Sequence, residues 1–159
     1  MNKVYLLMGG NLGDRQVHLS RAAADMEISL GKISVRSAIY QTDPWGKTDQ
    51  EPFLNQCLLL ETALDPGALM RGILQIEENL GRRRGEKYGP RIIDIDILFF
   101  NDATIDLPNL QIPHPQLAFR RFVLVPLCEI AAQYRHPLLH KTIQQLLQEC
   151  PDPLNVKKI

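Results

Sequence analysis

The period of apolar and polar positions changes several times along the chain, and each change predicts an element. Lys3 to Met8 reads as a strand, followed by the glycine turn GGNLG. Asp14 then stands where it can cap a helix whose positions Leu19, Ala22, Ala23, Met26 and Leu30 share one side, and Gly31 ends it. Lys32 to Thr42 alternates through Ile33, Val35 and Ile39 as a second strand, and Phe53 to Thr62 is a third, more continuously apolar one. In DPGALMRGILQIEENLG, Asp65 caps a helix, Pro66 occupies its first position, Leu69, Ile73, Ile76 and Leu80 form its stripe, and Gly81 stops it.

The next strand breaks its own pattern. In GPRIIDIDILFF, residues 89 to 100, Ile93, Ile95, Ile97 and Phe99 alternate with Asp94, Asp96, Leu98 and Phe100, so one face starts acidic and turns apolar. An isolated I-D-I-D reads most simply as an amphipathic strand with its acids in water. Here the second half is covered on both sides. At a rise of ~3.3 Å per residue the two acidic Cα atoms lie roughly 6.6 Å apart on one face, and both carboxylates can converge on one point. At about 5 Å and an effective dielectric of ~20 they repel by roughly 3 kcal/mol, so a partly covered pair requires protons or cations. Hard divalent cations suit such a pair, and Mg²⁺ takes its remaining ligands from water and phosphate oxygens.

The order up to residue 100 is β-α-β-β-α-β, which predicts an α+β fold with a ferredoxin-like core sheet packed on one face by two helices. The remainder adds an extended stretch near Thr104 to Ile112, an apolar segment from Phe122 to Ala132 and an amphipathic helix around Thr142 to Cys150. These additional C-terminal helices and short strands are expected to cover the other face or an edge of the sheet. No repeat or linker divides the chain, and a single domain over residues 1–159 is expected.

Just before the acidic strand, GRRRGEKYGPR sets Arg82, Arg83, Arg84, Lys87 and Arg91 against the single acid Glu86. A charge run is ordinarily a solvated or nucleic-acid-binding surface. This one leads directly into two carboxylates, so a polyphosphate could meet guanidinium groups on one side and carboxylate-held Mg²⁺ on the other. Lys+Arg and Asp+Glu both number 18 in the 159 residues, which makes the loop a local concentration in a neutral protein and argues against nucleic acid as the partner. The glycine turn fits neither G-x-G-x-x-G nor a P-loop. The three cysteines share no short spacing, so neither a disulfide framework nor a zinc site is indicated, and Cys57 and Cys128 fall in apolar runs as core thiols. The apolar run near the start is too short for a signal peptide and no stretch reaches membrane-spanning length, so a cytoplasmic monomer without a membrane partner is expected. These residues alone leave open a broad Mg²⁺-dependent kinase or nucleotidyl transferase, and also an RNA-recognition module on the same β-α-β-β-α-β sheet.

KYGPRIIDIDIL, residues 87 to 98, resembles the signature of the 6-hydroxymethyl-7,8-dihydropterin pyrophosphokinases of folate biosynthesis. The likeness continues through GGNLGD (9–14), YQTDPWG (40–46), FLN (53–55), IEENLGRRR (76–84) and IPHPQLAFRRFVLVPLCEIA (112–131), in the same order. It implies transfer of the β,γ-pyrophosphoryl group of ATP to the pterin hydroxymethyl oxygen, with AMP released and two Mg²⁺ ions as cofactor. By that resemblance Asp94 and Asp96 hold the metals. Arg82, Arg84 and Arg91 meet the phosphates as the catalytic arginines, joined by His114 and Arg120, and Glu77, Tyr88 and Ile97 also belong to the ATP side. Phe53 and Phe122 match the pair that stacks on the pterin, Asn55 matches the amide that reads its edge, and Thr42, Asp43 and Trp45 line the same loop. The residues themselves permit plainer roles. Phe53 and Phe122 could be core, Glu77 could be a solvated helix position, and His114 could be a turn residue between two prolines. Tyr88, Leu74 and Asn109 depart from the family pattern at positions where a tryptophan, a glutamine and an arginine occur.

Overall fold

The computed structural model describes residues 1–44, 49–82 and 89–159. Its strands are β1 (Asn2–Gly10), β2 (Lys32–Arg36), β3 (Tyr40–Thr42), β4 (Phe53–Thr62), β5 (Asp94–Phe100), β6 (Ile105–Leu107), β7 (Leu110–Ile112) and β8 (Val156–Lys158). Its helices are α1 (Arg15–Ser29), α2 (Pro66–Asn79), α3 (Arg121–Ala131) and α4 (Ile143–Glu149). The large sheet runs β5-β1-β4-β3-β8, with β2 beside β3 along the same edge of β4. Each pairing is antiparallel, as the ferredoxin-like order requires.

Helices cover both faces. On one side Leu19, Ala22, Ala23 and Met26 of α1 and Leu69, Ile73 and Ile76 of α2 pack on Val4, Leu6 and Met8. On the other, Val123, Leu124 and Leu127 of α3 with Ile143 and Leu146 of α4 pack on Leu7, Cys57, Leu98 and Phe99. Cys57 is fully buried there, and Cys128 is half-buried against the same layer. The predicted caps are present: the carboxylates of Asp14 and Asp65 accept from the backbone N–H groups of Val17 and Ala68, at 3.2 and 2.8 Å. Gly81, at φ +96°, takes the left-handed conformation that ends α2. Among the described residues no helix is long and apolar enough to cross a membrane.

Two strands differ from expectation. The segment 32–42 is two strands, because Ser37 leaves the alternation: its N–H donates to the Cys57 carbonyl and its hydroxyl accepts from the Cys57 N–H, both at 2.9 Å. In β5, Tyr5 faces Phe99 and Leu6 faces Ile97, so Leu98 is an extra residue and the strand carries a bulge. The bulge reverses the phase beyond it. Phe99 joins the α3 layer that follows the acids, and Phe100 joins the α1/α2 core, the opposite of strict alternation.

Candidate functional site

The acids of β5, Gly9 and Leu7 of β1, and Asn55 of β4 lie on the face that α3 covers. Register places Asp94, Gly9 and Asn55 in one row across three strands, and Asp96, Leu7 and Cys57 in the next. α3 begins at Arg121, so its first turn leaves the outer row open while its body buries the apolar rows behind. The unusual composition of β5 follows from that boundary.

The resulting pocket has two ends. One is lined by Phe53, Phe122, Asn55, Thr42 and Asp43, and the other by Asp94, Asp96, Arg91 and Arg120, with Leu7 and Gly9 as the floor between them. A Cβ on Gly9 would lie 2.2 Å from the Asn55 carboxamide oxygen, so the floor requires glycine. Asn55 is 4% exposed, and its amide nitrogen donates to the Thr42 hydroxyl at 3.1 Å, which leaves the carboxamide fixed in the pocket wall. Phe53 and Phe122 are half-buried pocket walls, and each carries a cation over its ring: Arg91 over Phe53 at 5.6 Å and Arg120 over Phe122 at 5.8 Å.

Charge at the second end is tightly arranged. Arg82 donates to Asp94 Oδ1 at 2.7 Å and to Glu77 Oε1 at 3.1 Å, and Arg91 donates to Asp94 Oδ2 at 3.0 Å. Glu77 is 4% exposed, so the solvated alternative does not hold. Its second oxygen accepts from the Ile95 N–H at 2.7 Å, which ties α2 to the acidic strand. Burial, and then the neighbouring Asp94 charge, push the Glu77 carboxyl up to about 7. Asp96 is raised further, to about 8, first by burial and then by the charges of Asp94 and Glu77. Two carboxyls whose burial and mutual charge oppose ionisation in this way would suit a hard divalent ion. Among the described residues no cluster of three His, Cys, Asp or Glu side chains joins them, and further ligands would come from water or phosphate oxygens.

His114 lies beside Arg120 rather than in the pocket lining. Burial and the Arg120 charge lower its imidazole to about 4, its Nδ1 accepts from the Gln116 N–H at 3.2 Å, and its own N–H donates to the bulge carbonyl of Leu98. Ile97 divides between side chain and main chain. Its side chain is 3% exposed within the α1/α2 core, on the face opposite the acids, and its main chain lies on β5 at the edge of the sheet. Trp45, Arg84 and Tyr88 lie outside the described residues. Sequence reasoning missed two contributors. Asn11 is a buried polar residue within the glycine turn, and Asp152 accepts from the Arg121 N–H at 3.0 Å, capping α3 where Arg120 has no side-chain cap of its own.

A ferredoxin-like sheet with an aromatic and amide pocket opening onto paired carboxylates and arginines has the composition of a group-transfer site, and the family comparisons say which one. The model of the 7,8-dihydro-6-hydroxymethylpterin-pyrophosphokinase (HPPK) family matches residues 5–132. The chain is 38% identical over 160 residues to the 2-amino-4-hydroxy-6-hydroxymethyldihydropteridine pyrophosphokinase of Methylorubrum extorquens, covering 100% of this chain and 99% of that one. It is 42% identical over 136 residues to the Bacillus subtilis protein of the same name, covering 83% of this chain and 80% of that one. The crystal structure of wild-type Plasmodium falciparum HPPK-DHPS with SDX-DHP superposes with a TM-score of 0.77 at 22% identity, covering 94% of this chain and 43% of that longer one, which supports the fold. This chain belongs to the HPPK family. It is a pyrophosphokinase that transfers a pyrophosphoryl group to hydroxymethyldihydropterin in folate biosynthesis.

Proposed function

We propose that ATP is the donor, that Asp94 and Asp96 hold two Mg²⁺ ions, and that the hydroxymethyl oxygen attacks the β-phosphorus. The observation that carries this reading is the single pocket in which Asn55, Phe53 and Phe122 face Asp94, Asp96, Arg91 and Arg120. The apolar faces of a pterin fit between the two phenylalanines, while its polar edge reaches Asn55 and the Thr42–Asp43 strand end. The hydroxymethyl group then points toward the acids. Arg82, Arg91 and Arg120 take the polyphosphate, with Arg84 assigned beside them by resemblance, and His114 supports that end as a neutral imidazole. When bound, the two cations neutralise the β,γ-unit and hold its oxygens in place.

The bond that forms joins the hydroxymethyl oxygen to the β-phosphorus, and the bond that breaks joins that phosphorus to the α,β-bridging oxygen. AMP leaves, and the hydroxyl proton passes to solvent. No protein nucleophile is required, because transfer of this kind is chiefly positioning and charge neutralisation. The carboxylates and arginines fit attack at the γ-phosphorus equally well; family membership favours β. Phosphorus NMR of a completed reaction tests the reading: AMP and the pterin diphosphate ester in equal amounts are expected, and ADP with a monophosphate ester would overturn it. The whole chain acting as one monomeric domain completes the reading, and sedimentation of the active enzyme tests that part.

A further inference from the structure

Asn11 is 3% exposed and lines neither end of the pocket, yet each polar atom of its side chain is engaged. Its Oδ1 accepts from the Arg91 N–H at 3.0 Å, and its own N–H donates to the Arg91 carbonyl at 2.9 Å. Its Nδ2 donates to Gln50 Oε1 at 2.9 Å and to the Glu51 carbonyl at 2.8 Å. One carboxamide therefore binds two segments distant in sequence. The first carries Arg91, whose guanidinium holds Asp94. The second enters β4 at Phe53, with the Pro52 carbonyl separately held by Arg15 at 2.9 Å. The two segments meet again above, where Arg91 lies over the Phe53 ring.

We infer that Asn11 is a positioning residue that sets the phosphate half and the pterin half of the site in one frame, through Arg91 on one side and the approach to Phe53 on the other. The inference rests on the assignment of Arg91 to the phosphates and of Phe53 and Asn55 to the pterin. The two ends of the amide do different work: its oxygen serves Arg91 and its nitrogen serves residues 50 and 51. A carboxylate in its place retains the acceptor for Arg91 but turns an oxygen against the Glu51 carbonyl. Alanine retains neither bond. A merely structural asparagine would lose stability in both variants without separating the two substrates.

Steady-state kinetics of the full chain, with each substrate varied at saturation of the other, tests this. Asn11→Asp is expected to raise KM for the hydroxymethyl dihydropterin about tenfold while KM for ATP stays within about twofold, and Asn11→Ala to raise both about tenfold. If Asn11→Asp fails to fold, Gln50→Ala supplies a weaker form of the split, a pterin KM raised about threefold with the ATP value unmoved. Equal changes in both KM values for Asn11→Asp, or unaltered kinetics for Asn11→Ala, would overturn the inference. An Asn55→Ala control separates the two levels of the argument. If it leaves the pterin KM unchanged, the site assignment fails and the inference falls with it.

Discussion

Arg82 and Asp94 are joined by a hydrogen bond of 2.7 Å, so the arginine that opens the basic loop neutralises the first acid of β5. A cation placed at Asp94 competes with that guanidinium, and a guanidinium displaced from Asp94 becomes available to phosphate oxygens. Arg82→Ala is therefore expected to bind Mg²⁺ alone more tightly than the parent protein, while kcat falls by roughly two to three powers of ten. Calorimetric titration with the metal, beside turnover, checks both signs. Weaker metal binding in the variant would show that Arg82 does not compete for Asp94.

With Mg²⁺ held at Asp96 as proposed, the effect of the ion should depend on pH. Its carboxyl moves from an ordinary 3.8 to about 8 in the fold, and Glu77 from 4.5 to about 7. Both groups are raised, so the stability they contribute is complete below the ordinary carboxylate range and is lost as pH rises toward 8. The two cations proposed at Asp94 and Asp96 would compensate the charge that appears, so the Tm increase on adding Mg²⁺ should grow steadily from pH 5 to pH 8. In Asp96→Asn that growth should be much smaller. A Tm increment independent of pH in the parent protein would refute the assignment.

A substitution at Asn55 tests one end of the pocket apart from the other. Asn55→Ala removes the amide held by Thr42 and should weaken pterin binding by about 1–3 kcal/mol, because polar groups on the ring edge lose their partner. Binding of an ATP analogue should change far less. Calorimetry with each ligand decides, and equal losses would mean that the amide shapes the fold rather than reading the ring.

Asp152 supports the site from the far end of the chain. It receives the Arg121 N–H at 3.0 Å and the Leu154 N–H at 3.0 Å, and it is 7% exposed. Asp152→Ala should lower stability by about 1 kcal/mol through the uncapped start of α3, with a raised KM because Arg120 and Phe122 flank that turn. Denaturant unfolding and kinetics together check it. A midpoint equal to that of the parent would show that another group satisfies the helix start.

Most of the fold was legible because its signals are local. Helix ends were marked by Asp14, Asp65 and Gly81, and the strands by their apolar period. The acids, Asn55 and the phenylalanines were legible because each clashed with its surroundings or matched a spaced motif. The unseen features depend on partners far away in sequence. Ser37 interrupts a strand through Cys57, Asn11 acts through residues 50, 51 and 91, and β8 is a three-residue strand, Val156–Lys158, that only pairing with β3 defines. Glu77 sits on a helix whose spacing leaves it outside the apolar stripe, and its burial follows from the Ile95 N–H and Arg82.

The bulge at Leu98 gives β5 one position at which its length can change without changing which face its neighbours present. The acids lie before it and the two phenylalanines after it, so removing this one residue would close the bulge and leave Asp94 and Asp96 in their rows and Phe99 and Phe100 in their present layers, still opposite Tyr5 and Val4. Deletion of Leu98 is therefore the change of length the strand could absorb, at the cost of one apolar side chain from the α3 layer and of the carbonyl that accepts from the His114 N–H.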